Sequence, residues 1–255
     1  MHSTIFMIHG MMVGPWCWDN YRDFFEKKGH HCISPPLRFH DMDPAALPDP
    51  LLGTTSLLEY AADLEAEIKG LQERPIVMGH SMGGLLAQIL AGRGHAKAAV
   101  LLTPAAPAGI NAFSYTVLKS FSGVMMKWGF WKKPFRFSFA RAVYSCLHLL
   151  PVGEQKQVYG KMVYESARAA CQIGFWYLDS TKAARVGPDS VKCPILVIAA
   201  GKDRITPAAA VKKVAHTYKG ATFKQFDNHA HWVLGEPGWQ DVAEYVSCWL
   251  EANAL

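Results

Sequence analysis

A glycine–serine–glycine break inside an apolar stretch constrains this chain more than any other feature of its sequence. Residues 75–90 read PIVMGHSMGGLLAQIL, in which a short apolar run is followed by a glycine-rich break and then by helical apolar spacing. This pattern predicts a strand, a tight turn and a helix. The turn, GHSMG at residues 79–83, has the G-x-S-x-G spacing that raises a serine hydroxyl above the end of a strand. Ser81 is therefore a candidate nucleophile, although a simple glycine-rich loop would show the same spacing.

The length and composition of the chain set broad limits on its class. With 255 residues and 50% hydrophobic composition it can bury a large core, and it has the size of one α/β domain with an insertion. No apolar run approaches the roughly 18 residues that span a bilayer, and the N-terminal residues lack the features of a signal peptide. We therefore expect a soluble, cytoplasmic protein.

Charge and cysteine content exclude several other classes. The net charge of +5 is modest for this length and does not indicate binding to nucleic acid. The six cysteines are scattered without metal-ligand spacing, so neither a zinc site nor a disulfide framework is predicted. We expect no metal ion, and we expect the cysteines to be buried free thiols.

Apolar segments that read as strands alternate with segments that read as helices. This alternation predicts a mostly parallel sheet covered by helices on both faces. A helix capped by Asp19 and ended by Gly29, a helix over Thr54–Lys69 and a closing helix over Trp239–Leu250 are predicted. The predicted strands are Thr4–Ile8, His31–Ser34, the run from Pro75 to the elbow, Ala98–Thr103, Pro194–Ala200 and Thr222–Phe226.

Two further segments carry residues that could activate the serine. A serine hydroxyl needs a base, usually a histidine oriented by a carboxylate, and in a parallel sheet such groups emerge at the carboxyl ends of strands. Asp203 follows the predicted fifth strand, and His229 and His231 follow the sixth. Asp203 could instead cap a helix predicted over residues 205–214. The chain order serine, aspartate, histidine is the order expected for this architecture.

Four segments, in this order and at fitting intervals, resemble the α/β-hydrolase superfamily. The resemblance covers nearly the whole chain outside residues 105–190, and the GPWCW sequence at residues 14–18 is most like the small esterases and the plant methylesterase and hydroxynitrile-lyase group. It implies an α/β-hydrolase fold. The four segments are the opening strand with its His9-Gly10 loop, the elbow, GKDRITP at residues 201–207 and HWVLGEP at residues 231–237.

The resemblance also implies a division of the chain into a core and a cap. Residues 1–104 and 191–255 are expected to form the α/β-hydrolase core, and residues 105–190 a helical cap or lid inserted between two strands. Most aromatic side chains of the insertion are expected to form its own small core, while some roof the pocket above the serine. These aromatics include Phe113, Tyr115, Phe121, Trp128, Phe130, Trp131, Phe135, Phe137, Phe139 and Tyr144.

Roles for individual residues follow from the same resemblance. Ser81 is the implied nucleophile, Asp203 the implied carboxylate, and His231 the implied base, because the HWVLGEP segment matches the family spacing at His231. His229 would be shifted by two positions. His9 is expected to be a structural hydrogen-bonding residue, and the other histidines, including His40 and His95, are expected to have no functional role.

An oxyanion formed at the serine needs hydrogen-bond donors. By resemblance, the backbone N–H groups of Met11 and Met82 supply them. Because the donors belong to the backbone, methionine side chains are acceptable at both positions and would line the site with apolar surface.

These residues predict a cofactor-free serine hydrolase that cleaves carboxylic esters of small to medium apolar molecules. A lyase is less favoured, because the plant hydroxynitrile lyases have a threonine where Gly10 stands and a lysine where Trp232 stands. A ligand receptor that keeps the fold stays open as an alternative, and amidases, lactonases and thioesterases share the same machinery.

The basic residues are unevenly distributed. Residues 74–153 contain no Asp or Glu, and residues 127–141 interleave lysines and arginines with large aromatics. The simplest interpretation is a solvated helix face. The alternatives are peripheral contact with an anionic lipid surface, without stable membrane insertion, or attraction of acidic substrates.

Overall fold

The computed structural model describes residues 3–255, and a six-stranded parallel sheet lies at its centre. Eight strands form among these residues: Thr4–Ile8 (β1), His31–Ile33 (β2), Ile76–His80 (β3), Ala98–Leu102 (β4), Pro134–Phe135 (β5), Glu165–Ser166 (β6), Ile195–Ala200 (β7) and Thr222–Phe226 (β8). The sheet has the order β2-β1-β3-β4-β7-β8, and each neighbouring pair is parallel. All residues of β3, β4 and β7 are buried, as expected of apolar strands covered on both faces.

Nine α-helices connect or cover these strands in the described part of the chain. They are Asp19–Lys27 (α1), Leu57–Lys69 (α2), Met82–Gly92 (α3), Tyr115–Met125 (α4), Phe139–Ala142 (α5), Val152–Lys161 (α6), Ala167–Gly174 (α7), Ala208–Thr217 (α8) and Trp239–Ala252 (α9). A π-helical turn, Val143–Leu147, continues α5. No helix within residues 3–255 combines the length and the apolar character needed to cross a bilayer.

The sheet separates two hydrophobic layers. In β1, Ile5 and Met7 pack with buried residues of α1 and α9, whereas Phe6 and Ile8 pack with α2, α3 and α8. This alternation follows from the period of two along a strand, which sends successive side chains to opposite faces. The predicted parallel sheet covered on both faces is thereby confirmed.

Several predicted helix starts are wrong by a few residues. Asp19 does not cap α1: a 3-10 turn precedes it, Trp18 is the N-cap, and the Asp19 carboxylate accepts a hydrogen bond from Arg22. The next helix begins at Leu57 rather than Thr54, because Ser56 and Glu59 form a reciprocal capping box. Such a box satisfies two backbone donors at once and so fixes the first turn.

Residues 105–190, called the cap segment below, contain α4–α7 and also β5 and β6. These two strands pair antiparallel, and the sequence did not indicate them because two-residue strands show no periodicity. The division into core and cap stays a prediction. All six cysteines are free, but Cys248 is exposed, so the expectation that every thiol is buried is wrong at that position.

Candidate active site

Ser81 occupies a strained position between β3 and α3. Its φ of 54° and ψ of −119° are unfavourable for a residue with a side chain, at a cost of about 1–3 kcal/mol. The backbone is so crowded here that a Cβ at Gly79 would overlap the carbonyl group of Gly83. A Cβ at Gly83 would overlap the carbonyl oxygen of Ile8 in the neighbouring strand. Glycine at both positions therefore allows the turn that presents Ser81.

The structure brings Ser81, His231 and Asp203 together in one hydrogen-bonded chain. Ser81 Oγ lies 3.0 Å from His231 Nε2, and His231 Nδ1 lies 2.8 Å from Asp203 Oδ2. All three side chains are buried. The contact arises because Ser81, Asp203 and His231 follow β3, β7 and β8, whose carboxyl ends lie at one edge of the sheet. The serine hydroxyl can thus pass its proton to a ring that a carboxylate orients.

Asp203 is held by the loop that carries it. Its Oδ1 accepts hydrogen bonds from the N–H groups of Ile205 (2.7 Å) and Thr206 (2.9 Å). Burial by itself would raise the pKa of Asp203, but the adjacent His231 and the hydrogen bonds from Thr206 outweigh it and lower that pKa. The alternative that Asp203 caps the next helix is wrong, because α8 begins at Ala208 with Pro207 as its N-cap.

His229 does not reach the serine in this arrangement. Its Nδ1 lies 2.8 Å from Glu236 Oε1, and the same oxygen accepts a hydrogen bond from the N–H of Ala230 at 2.7 Å. Glu236 is itself buried. The Glu of the HWVLGEP segment therefore fixes the loop on which His231 stands, a role that the sequence did not indicate.

His80, the residue before the serine, contacts His231 through both its backbone and its ring. Its Nε2 donates to the backbone carbonyl of His231 at 2.8 Å, and the two ring centroids are 4.9 Å apart. Burial and the nearby His231 lower the pKa of His80 to about 3, so the ring stays neutral. Sequence analysis missed this contact, although the position of His80 next to Ser81 was a signal.

Met11 and Met82, the predicted oxyanion donors, line the same cavity as Ser81. Met82 is the first residue of α3, where backbone N–H groups have no partner within the helix and the helix dipole favours negative charge. The loop that carries Met11 is anchored by His9, whose Nδ1 bonds the Gly10 carbonyl (2.8 Å) and whose Nε2 accepts from the N–H of Leu37 (3.0 Å). His9 thus makes the structural hydrogen bonds expected of it.

A buried carboxylate from the cap segment holds the next residue of this loop. Glu165 accepts hydrogen bonds from His40 Nε2 (3.0 Å), Tyr60 Oη (2.9 Å) and the N–H of Met12 (3.3 Å). Met12 has a φ of 63°, which costs about 1–3 kcal/mol in a residue with a side chain. His40 therefore has a structural role, which the sequence did not indicate because 125 positions separate it from Glu165.

Two cavities meet at Ser81. The larger, about 1020 Å³ with its open mouth, extends under the cap segment, and none of the described residues that line it carries a charge. The smaller, about 490 Å³, is lined by His231 and Trp232. Met11, Ser81, Phe121 and Ile205 line both. The aromatic residues of the cap segment that line one or both cavities are Phe113, Phe121, Phe130, Phe135, Phe137, Phe175 and Trp176. Tyr115, Trp128 and Trp131 are exposed.

Metal ligands are not grouped in the described part of the chain: no three His, Cys, Asp or Glu side chains are arranged there to hold an ion. His95 lies 3.1 Å from Glu65, and neither residue lines either cavity.

Comparison with known proteins gives the family. Methylesterase 8 of Arabidopsis thaliana is 26% identical over 129 residues, which are 49% of this chain and 46% of that protein, so the chain matches about half the length of this relative. The fold is shared with a methylesterase from Arabidopsis (TM-score 0.73, 14% identity, 98% and 99% of the two chains). It is also shared with an esterase from Exiguobacterium antarcticum (TM-score 0.72, 14% identity, 98% and 92%). A model of the alpha/beta hydrolase family matches residues 5–244, nearly the whole chain. The chain belongs to the alpha/beta hydrolase family.

Proposed function

We propose that this protein is a serine hydrolase that cleaves carboxylic esters of small to medium apolar molecules through an acyl-enzyme. The observation that carries the proposal is the hydrogen-bonded chain from Ser81 through His231 to Asp203 at the floor of an uncharged cavity. The names of the relatives, methylesterase and esterase, favour esters over other acyl compounds.

The reaction follows from the positions of the atoms. His231 Nε2 takes the proton of Ser81 Oγ as that oxygen attacks the ester carbonyl, and Asp203 stabilises the resulting imidazolium. The N–H groups of Met11 and Met82 receive the oxyanion, and each donor is worth about 3–4 kcal/mol of barrier. The alcohol leaves with the proton from His231. Water, deprotonated by the same ring, then releases the acid.

The two cavities suggest which half of the ester lies where. His231 must protonate the departing alcohol, so the alcohol has to lie on the side of the serine that His231 lines. That side is the smaller cavity, whereas the larger cavity includes both Met11 and Met82 but not His231. The acyl group is therefore assigned to the larger, uncharged cavity and a compact alcohol to the smaller one.

Gly10 bears on the choice between hydrolysis and cyanohydrin cleavage. A Cβ at Gly10 would lie 2.9 Å from the Cβ of Ser81 and 3.1 Å from His80 Nδ1. Contacts this short require displacement, so the threonine that hydroxynitrile lyases have here would crowd the serine. The site favours hydrolysis.

Labelling and turnover test the proposal together. A fluorophosphonate probe should label the wild-type chain and not Ser81→Ala, because the probe reacts with an activated serine. A panel of p-nitrophenyl esters of graded acyl length should give repeated turnover by the wild type. Labelling of Ser81 with a single turnover would favour a ligand receptor, and hydrolysis undiminished in Ser81→Ala would contradict the proposal.

A further inference from the structure

The cap segment carries an exposed apolar cluster that the proposed chemistry does not use. Residues 126–133, with the sequence MKWGFWKK, are called the basic aromatic tip here. Met126 is 85% exposed, Trp128 88% and Trp131 41%, and the two indole rings pack edge to face with centroids 5.8 Å apart. Exposure of a tryptophan side chain to water is unfavourable in free energy, so an exposed pair indicates a surface that a membrane or another molecule covers.

The charge of the tip is also uncompensated. Lys127, Lys132 and Lys133 form no ion pair with a described carboxylate, and Lys133 Nζ donates only to the Trp128 carbonyl at 3.1 Å. The 3-10 turn at residues 50–54 packs against the tip and is capped by Asp49. The Asp49 carboxylate accepts a hydrogen bond from the N–H of Leu51 at 2.8 Å and forms no ion pair with the lysines of the tip.

Two other basic residues of the cap segment, Arg136 and Lys119, have structural partners. Arg136 donates to the carbonyl groups of Pro44 (2.9 Å) and Tyr159 (2.8 Å), and Lys119 lies 4.3 Å from the ring centroid of Tyr144. The tip, in contrast, carries three lysines within the seven residues 127–133, beside its two indoles.

The mouth of the larger cavity opens beside the tip. Phe130, within the tip, lines this cavity, and its ring lies 5.5 Å from that of Trp131. Phe113 and Leu118 line the cavity as well, yet are 40% and 46% exposed, so they mark its opening to solvent. Phe130 thus joins the tip to the lining of the larger cavity.

We propose that the basic aromatic tip docks the protein on the surface of an anionic lipid bilayer. Indole rings favour the level of the lipid headgroups, and lysines beside them are attracted by anionic lipids. An acidic protein could also cover the tryptophans and pair with the lysines, and an absence of vesicle binding would point to such a partner instead. Docking would set the cavity mouth against the lipid, where apolar esters concentrate. Access to these esters matters only if the protein hydrolyses esters as proposed, whereas the docking itself does not depend on that function.

Vesicle flotation tests the docking without relying on catalysis. We would use the full chain with Ser81→Ala and vesicles of phosphatidylcholine with and without phosphatidylserine. Each lysine near an anionic surface contributes about fivefold to partitioning, so the variant Lys127→Gln/Lys132→Gln/Lys133→Gln should bind phosphatidylserine vesicles roughly 100-fold more weakly. The Trp128→Ala/Trp131→Ala variant should also lose binding, and 1 M salt, where the Debye length is about 3 Å, should release the unchanged tip.

A matched variant controls for net charge. Lys212→Gln/Lys213→Gln/Lys219→Gln removes three exposed charges on or just after α8, and should change vesicle binding by about twofold or less, because screening confines the attraction to the docked face. Equal losses in the two triple variants, equal binding to neutral vesicles, or no vesicle binding at all would overturn the proposal. So would a dimer in sedimentation that the two tryptophan substitutions abolish, since the tip would then be an interface between copies of the chain.

One further measurement separates docking from catalysis. With Ser81 restored, the triple lysine variant of the tip should hydrolyse a water-soluble ester at the wild-type rate, because none of the three lysines lines either cavity. Lost vesicle binding with unchanged hydrolysis supports docking. If neither the wild type nor the triple variant hydrolyses the ester, the proposed function is contradicted but the docking proposal is not. If only the triple variant hydrolyses the ester more slowly, the assignment of these lysines to docking is overturned.

Discussion

Two buried histidine–carboxylate pairs in this molecule have nearly the same geometry and different surroundings. His231 lies 2.8 Å from Asp203, and His40 lies 3.0 Å from Glu165. The second nitrogen of His231 faces Ser81 Oγ at 3.0 Å beside a cavity, whereas the second nitrogen of His40 is 3.0 Å from the carbonyl of Arg38. A carboxylate partner therefore does not make a histidine a base; an unblocked nitrogen facing a nucleophile does.

The two pairs also differ in which group has a shifted pKa. Burial alone would lower the pKa of His40, but the charge of Glu165 and its hydrogen bond outweigh burial and raise that pKa. A proton on His40 is thus stabilised by Glu165 within the fold. In the other pair the pKa of Asp203 is lowered, so its carboxylate stays ionised and is available to stabilise an imidazolium in the proposed reaction.

The largest expected effect comes from removing the imidazole next to the serine. His231→Ala should lower kcat roughly 10⁶-fold, because no other group takes the proton of Ser81 Oγ. His40→Ala should act mainly on the free energy of unfolding. Steady-state hydrolysis of a p-nitrophenyl ester, with circular dichroism to check folding, measures both.

His229→Ala is the matched control for that experiment. His229 is also buried beside a carboxylate, Glu236 at 2.8 Å, but it does not contact Ser81. We expect it to retain kcat within about tenfold, since only the support of the loop is weakened. If His229→Ala were inactive and His231→Ala active, the base would be His229 and not His231.

The next largest effect is expected from the carboxylate of the same pair. Asp203→Asn should lower kcat on the order of 10⁴-fold with little change in KM, because the amide favours the wrong tautomer of His231. Acidifying the wild type from pH 7 to about 5 should also lower activity. Because the pKa of Asp203 lies below its usual value of about 3.9, that loss does not come from protonation of Asp203.

Ser81, Asp203 and the segment with His229 and His231 could be located from the sequence because each follows a predicted strand, and parallel strands place their carboxyl ends at one edge of the sheet. The choice of His231 over His229 came from the resemblance to the α/β-hydrolases. Their catalytic roles stay predictions. The fold was predictable for the same reason, since its strands are apolar runs separated by recognisable turns and caps.

The Glu165 pair had no comparable signal. His40 lies in a proline-rich loop and Glu165 in a two-residue strand, and neither context has a period or a motif. Their contact depends on how the cap segment packs against the core, which is set by tertiary packing of α7 and the 3-10 turn at residues 50–54. Local sequence rules cannot supply such a contact.

Glu165→Gln should sharpen the comparison through stability. The amide cannot replace the buried charge, so the free energy of unfolding should fall by about 3 kcal/mol near pH 6. The raised pKa of His40 sets the sign: its contribution is fully present below the ordinary histidine value of about 6.5 and is lost as pH rises through the folded value. The deficit of the variant should therefore shrink at pH 9.

Urea unfolding of both proteins at the two pH values measures this. A deficit that grows with pH would mean that the His40–Glu165 charges do not stabilise the fold. The effect on activity should differ from that of Asp203→Asn, because Glu165 supports the Met11–Met12 loop and touches no reacting atom. Glu165→Gln should lower kcat by about tenfold and leave fluorophosphonate labelling detectable.

The smallest effect is expected at His80, which supports His231 without entering the reaction. His80→Leu removes the hydrogen bond to the His231 carbonyl, whose length is 2.8 Å, and one such bond contributes about 1 kcal/mol. We expect kcat to fall by about fivefold with KM unchanged, because a less firmly held His231 meets Ser81 less often in the right geometry. His80→Gln, which can donate to the same carbonyl, should recover part of the loss. The pH profile should keep its shape in both variants, since the pKa of His80, about 3, already excludes this ring from the titration of activity. A shifted acid limb in His80→Leu would instead make His80 part of the base.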